Sequence, residues 1–197
     1  MPVKETRDYR RAVEMRAADG EEYIVEGYAT TFNYPYVLWS YDGVDYKEQI
    51  DRHAFDECDM SDVILQYDHS GMVFARLSNK TLTLEVDDHG LKVRADLSKT
   101  AQARELYEAI STGLVTEMSF AFTVEEDTYN EKEHLRTINK IKKLYDVSAV
   151  SIPANPGTEI SARNYFEGVI EAEKEAERLA RARKQKELEL RFKLMEV

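Results

Sequence analysis

The chain has 197 residues, of which 43% are hydrophobic and 33% charged, and its formal net charge is −11. That composition can build a core, which argues against wholesale disorder, and the length suits one domain with an appendage or one larger domain. The acidity disfavours non-specific nucleic-acid binding, which needs a basic face, and the single cysteine, Cys58, excludes an intramolecular disulfide framework and a cysteine-rich zinc site. No apolar run reaches the roughly 18 residues of a membrane span, and the N-terminus lacks the apolar stretch of a secretory signal. Neither a membrane nor a directly bound nucleic acid is therefore expected as a partner, and the lack of disulfides fits a reducing compartment.

Residues 1–20 read as an N-terminal segment. From Tyr23 to Phe32 the chain is β-branched and aromatic, and it predicts a strand. A short helix is expected after Asp51, through His53–Cys58, with His53 as a local cap contact. Val63–Tyr67 reads as a buried strand. Thr81–Val86 and Leu91–Leu97 alternate with period two around the turn cluster Asp87–Gly90, which predicts a hairpin. Ala103, Leu106, Tyr107 and Ile110 follow helical spacing, with Thr100 placed to cap that helix and Gly113 to end it.

Met118, Phe120, Phe122 and Val124 alternate with Ser119, Ala121 and Thr123 in a further strand. Leu135–Ile141 can return from it across the polar stretch Glu125–His134, and Leu144–Ile152 is another β-rich run that stops at Pro153. From Phe166 onward the chain has no proline and one glycine, with glutamates first and arginines and lysines later, the charge order that suits a helix dipole. Its apolar positions sustain no clean heptad, so a solvated helical arm is expected at 164–197, with a partner-binding or oligomerising helix as the alternative. Six or seven strands with packed helices point to a mainly β, α+β domain over residues 21–163, built as an antiparallel barrel or closed sandwich.

The four histidines, His53, His69, His89 and His134, show no metal-ligand spacing, and no glycine-rich phosphate loop occurs, so no metal or cofactor is expected. His89 lies in a turn and His134 beside a polar loop, which reads as surface. His69 follows a rigid strand and precedes Ser70-Gly71, where a general base could be held. Ser119 shares a strand face with the small Ala121, opposite Met118, Phe120 and Phe122. On pattern alone Ser119 also reads as an ordinary strand serine and His69 as a structural or surface histidine; as a nucleophile Ser119 would need a neighbouring base, and the two would then be expected on neighbouring strands. Asp146 is an acid within the apolar run Leu144–Val150, either solvent-facing or held by a partner such as an imidazole, and Ser148 on the same face is a further orienting candidate.

Taken in order, these stretches resemble one family. Gly27-Tyr28-Ala29-Thr30-Thr31-Phe32-Asn33, Glu48-Gln49-Ile50 with Ala54-Phe55, Leu65–His69, Ala75-Arg76-Leu77, the Leu82–Leu97 hairpin, Met118–Phe122 and Val147–Pro156 are similar to the successive motifs of the prohead (procapsid maturation) proteases of tailed bacteriophages. His53, Ala75 and Ala121 stand where that family commonly has glycine, and so does Glu117. The resemblance implies a serine endopeptidase with a herpesvirus-assemblin-like β-barrel, His69 as base, Ser119 as nucleophile and Asp146 as third member. It also implies action in the host cytoplasm, inside the assembling procapsid, on scaffold or the scaffolding segment of the major capsid protein, and self-cleavage. A homo-oligomer is compatible with it; the oxyanion hole is not located, and backbone amides around Ala154–Gly157 are a candidate only because that loop follows the Asp146 strand. The alternative is a non-catalytic structural or assembly module with a tail-tube-like barrel, which has no reason to hold both His69 and Ser119. A scaffolding protein, suggested by the charged arm, leaves the strand-rich part unexplained.

Overall fold

In a computed structural model of the protein, the described residues are 8–11, 15–151 and 156–195. They hold eleven strands and two helices in the order β1 (Asp8–Arg11), β2 (Met15–Ala17), β3 (Ile24–Thr31), β4 (Tyr36–Tyr41), β5 (Val44–Ile50), β6 (Ile64–Tyr67), β7 (Ser70–Arg76), β8 (Leu82–Val86), β9 (Gly90–Asp96), α1 (Ala101–Ser111), β10 (Glu117–Asn130), β11 (Leu135–Val150) and α2 (Pro156–Met195). The strands form a seven-stranded sheet around β10 and β11 and a four-stranded sheet ordered β2-β3-β9-β8. The molecule divides into two compact units, Met1–Glu159 and Ile160–Val197.

Alternation dictates which side chains fill the space between the sheets. Val25, Leu82, Leu91, Val93 and Ala95 from the small sheet, and Leu65, Met118, Phe120, Phe122, Ile138, Leu144, Val147 and Ala149 from the large one, are buried in a single cluster. Burying one such side chain contributes about 1.5–3 kcal/mol. Helix α1 adds Ala103, Leu106 and Ile110 to the same cluster. It starts where Thr100 Oγ1 accepts the Ala103 N–H at 3.1 Å and stops before Gly113, whose φ of +76° suits a residue without a Cβ. The β8–β9 hairpin closes as expected: Asp87 accepts the backbone N–H groups of His89 and Gly90, and a Cβ on Gly90 would lie 1.9 Å from the Thr30 carbonyl oxygen on β3. Only glycine lets those strands approach.

Strand β11 is the splint of the large sheet. One edge pairs antiparallel with β10 along its length. The other pairs in parallel with β5 at Leu135–Ile138 and with β6 at Asp146–Ala149. The turns from Asp51 to Asp59 bridge the gap between β5 and β6 by backbone hydrogen bonds, including Ile141 N–H to the Ala54 carbonyl at 2.9 Å and Leu144 N–H to the Asp59 carbonyl at 3.1 Å.

Four expectations are corrected here. The sheets are not purely antiparallel, because the 51–63 crossing lets β5 and β6 both run alongside β11 in its own direction, and no closed barrel forms among the described residues. Glu125–Asn130 is not a loop but the outer half of β10, since β11 supplies its backbone partners however polar the side chains are. Leu135–Ile141 and Leu144–Val150 are one strand. His53–Cys58 forms successive turns instead of a helix; Asp51 there accepts the His53 N–H, and the His53 ring meets Asp56. Strands β4 and β5, joined at Asp42-Gly43, and β7 were not anticipated.

Helix α2 covers the expected C-terminal helix and begins earlier, at Pro156. Its exposed face carries Glu175–Arg178 and Glu177–Arg181 pairs at helical spacing. Among the described residues no helix is long and apolar enough to cross a membrane.

Candidate active site

The inner half of the β10–β11 hairpin places small polar groups on the sheet face opposite the core. Ser119 on β10 is directly opposite Ser148 on β11, and Ala121 opposite Asp146. Their neighbours Met118, Phe120, Val147 and Ala149 point the other way, into the core cluster. Period-two alternation thus anchors one face and leaves Ser119, Ser148 and Asp146 together on the other.

His69 comes from the next strand pair. Tyr67 pairs with Ser70, so Asp68 and His69 are the two loop residues of the β6–β7 hairpin, with φ of 47° and 54°. Positive φ at both positions is the pattern of a type I′ loop, whose twist matches that of the flanking strands. From that loop the imidazole turns back over β11, and His69 Nδ1 lies 2.6 Å from Asp146 Oδ1. The same oxygen accepts the Ser148 hydroxyl at 2.7 Å. The His69 and Asp146 side chains are 3% and 6% exposed, Ser119 is 5% exposed and Ser148 is fully buried.

The structure therefore brings Asp146, His69 and Ser148 into contact and puts Ser119 beside Ser148 across the ladder. Ser119 and His69 are not on neighbouring strands, as expected, because β11 lies between β6 and β10. β6 pairs with β11, and from the β6–β7 loop the histidine reaches back to Asp146 on that strand. Two contributors went unnoticed in the sequence: Asp68, and Ser151, whose N–H and hydroxyl Asp68 accepts. Asp68-His69 between two apolar runs is the signal that could have marked a two-residue hairpin loop. Of the candidate oxyanion-hole stretch, Ala154 and Asn155 lie outside the described residues, and Pro156 and Gly157 open α2.

The remaining histidines sit elsewhere. His53 is exposed, His89 packs edge-on against Tyr28, and His134 stands between Tyr46 and Tyr129 in the β10–β11 turn. No group of three histidine, cysteine, aspartate or glutamate side chains converges as a metal set among the described residues. Cys58 is half-buried, and burial pushes its thiol up to about 11, so it is a poor nucleophile at neutral pH.

A carboxylate bonded to one nitrogen of an imidazole, with a serine on the same sheet face, offers the residue types from which serine hydrolases are built. Comparison with protein families matches residues 11–171 to the family described as Caudovirus prohead serine protease. That span covers most of the chain, and the chain belongs to this family of serine peptidases. No curated protein and no solved structure matches it.

Proposed function

We propose that the protein is the endopeptidase of prohead maturation and that His69, Ser119 and Asp146 perform the cleavage. The observation that carries the reading is the 2.6 Å contact of His69 Nδ1 with Asp146 on the face that also holds Ser119. An ionised carboxylate can only accept, so Nδ1 carries the proton and Nε2 is left as the basic nitrogen. In this mechanism Ser119 Oγ bonds to the scissile carbonyl carbon while its proton passes to His69 Nε2. The imidazolium, stabilised by Asp146, then gives that proton to the departing amine as the peptide C–N bond breaks. Water, deprotonated by the same nitrogen, hydrolyses the acyl-enzyme and restores Ser119.

The substrates are scaffold or the scaffolding segment of the major capsid protein, and the enzyme itself, inside the assembling procapsid in the host cell. Residues 21–163 act as the protease domain. The arm at 164–197 tethers it to capsid components and is where self-cleavage starts. The family match argues against a non-catalytic tail-tube-like module. Because the three groups are buried as described, this face must open before a peptide carbonyl can meet Ser119.

A fluorophosphonate probe tests the nucleophile without knowledge of the natural cleavage sequence. Ser119 Oγ would bond to phosphorus, fluoride would leave, and the mass would rise by one phosphonyl group. Ser119→Ala should abolish labelling and self-cleavage, and so should His69→Ala, with the double variant no worse, since residues acting as a unit fail together. A folded Ser119→Ala protein that still cleaves would sink the mechanism. Deleting the arm should leave probe labelling intact and reduce incorporation into proheads; equal incorporation rules out the tether.

A further inference from the structure

The loop that presents His69 has two non-glycine residues in left-handed backbone, a conformation that persists in such residues only where surroundings enforce it. Contacts with the end of β11 enforce it here. Asp68 N–H donates to the Ala149 carbonyl at 2.9 Å. The Asp68 carboxylate accepts the Ser151 N–H at 2.9 Å on Oδ1 and the Ser151 hydroxyl at 2.9 Å on Oδ2. Ala149 belongs to β11 and Ser151 follows its last residue, and β11 also carries Asp146 and Ser148. The His69 ring is thus held on β11, and Asp68 just before it is held on the end of that strand and on the residue that follows it.

We propose that Asp68 is a positioning residue for His69, clamping the β6–β7 loop to the end of β11 through Ser151 so that the imidazole stays on Asp146. This rests on the reading of His69 as the general base. Without the clamp the loop keeps the β6–β11 ladder that ends at Tyr67, the Asp68 N–H to Ala149 hydrogen bond and the imidazole's contact with Asp146, but loses both contacts of the Asp68 side chain. The ring then carries its own alignment, and an ångström of drift suffices to slow proton transfer.

The test separates the clamp from the loop's backbone conformation. In the full chain, Asp68→Gly keeps left-handed backbone at low cost and removes both carboxylate contacts, whereas Asp68→Asn keeps an acceptor and tolerates the conformation. Ser151→Pro removes both donors and leaves the loop sequence intact. Two readouts are taken. One is the rate of fluorophosphonate labelling at Ser119. The other, in a Ser119→Ala background, is the low-field proton resonance of His69 Nδ1–H, which does not depend on any reaction. Asp68→Gly and Ser151→Pro should slow labelling by about 10- to 100-fold and weaken or shift that resonance, while Asp68→Asn stays close to the unsubstituted protein. Wild-type labelling and an unchanged resonance in a folded Asp68→Gly protein overturn the proposal. If that variant does not fold, the same outcome in Ser151→Pro overturns it. Should Ser119→Ala itself still take up the probe, the reading of the nucleophile fails, and the resonance alone decides the clamp.

Discussion

The β10–β11 hairpin carries two polar clusters, one at each end, and they differ in the kind of charge that neutralises a carboxylate. At the outer end Glu48 is fully buried and accepts from Arg136 at 3.2 Å and from the Tyr36 hydroxyl at 2.6 Å, while Arg136 Nε donates to Asp127 at 2.7 Å. At the inner end Asp146 meets an imidazole and a serine hydroxyl. A guanidinium cannot give up its proton in a protein, so the outer cluster is electrostatically fixed. An imidazole can gain and lose one near neutral pH, so the inner cluster can do chemistry. The same hairpin thus locks parallel strand β5 at one end and holds a titratable pair at the other.

If this contrast is right, the largest effect should come from the inner carboxylate. Asp146→Asn keeps shape and burial but offers an amide where the imidazole needs an acceptor with charge. Labelling of Ser119 should fall by as much as about 10⁴-fold, with little change in melting temperature. A loss of less than about threefold would place Asp146 among ordinary strand residues and leave Ser148 to orient the ring, since a group outside the machinery moves kcat far less than a triad member.

At the outer end the same kind of change should act on stability instead. Arg136→Met leaves Glu48 buried with its cation gone, which typically costs about 3–5 kcal/mol. Adding Glu48→Leu removes the stranded charge and should recover much of that loss. Denaturant unfolding measures both. Labelling per folded molecule should match wild type in each, and a specific activity that drops with Arg136→Met would mean the two ends are coupled.

How far the residues alone announced this arrangement depends on what carries each part. Alternation and capping made the β8–β9 hairpin, α1 and the Ser119 strand legible, because local spacing decides them. The candidate residues His69, Ser119, Asp146 and Ser148 could be singled out as polar groups inside or at the end of apolar runs, but only the family resemblance favoured His69 and Ser119 over ordinary strand and surface residues. Partner choice was not. Nothing in Val44–Ile50 or Ile64–Tyr67 says that both strands lie along β11 in parallel, since that follows from the path of residues 51–63 and not from side-chain period. Likewise the outer half of β10 shows no apolar face, because its backbone partners come from β11 and its half-buried side chains, Asp127 and Tyr129, meet Arg136 and His134 while the rest face solvent. Asp68 escaped notice because its role depends on Ser151, 83 positions further on.

The smallest expected effect lies between the two clusters, where Asp59 and Lys143 tie the 51–60 turns to the middle of β11. Lys143 Nζ donates to Asp59 at 2.7 Å, and both side chains are about half exposed. The Lys143 ammonium, with the N–H and hydroxyl of Ser61, holds the Asp59 carboxyl well below the usual carboxylate range. A depressed pKa in the folded state means the stabilisation is present above the unfolded value, near 4, and is lost as pH falls through the folded one. Asp59→Asn should therefore lower the melting temperature slightly at pH 7, and the gap to wild type should shrink on acidification below about pH 4. Because the pair faces solvent, added salt should narrow the same gap at neutral pH. Thermal scans of the two proteins at both pH values and two ionic strengths check this. A gap that persists at low pH would assign the effect to contacts that do not depend on the charge, and would remove this ion pair as the tie between the crossing and β11.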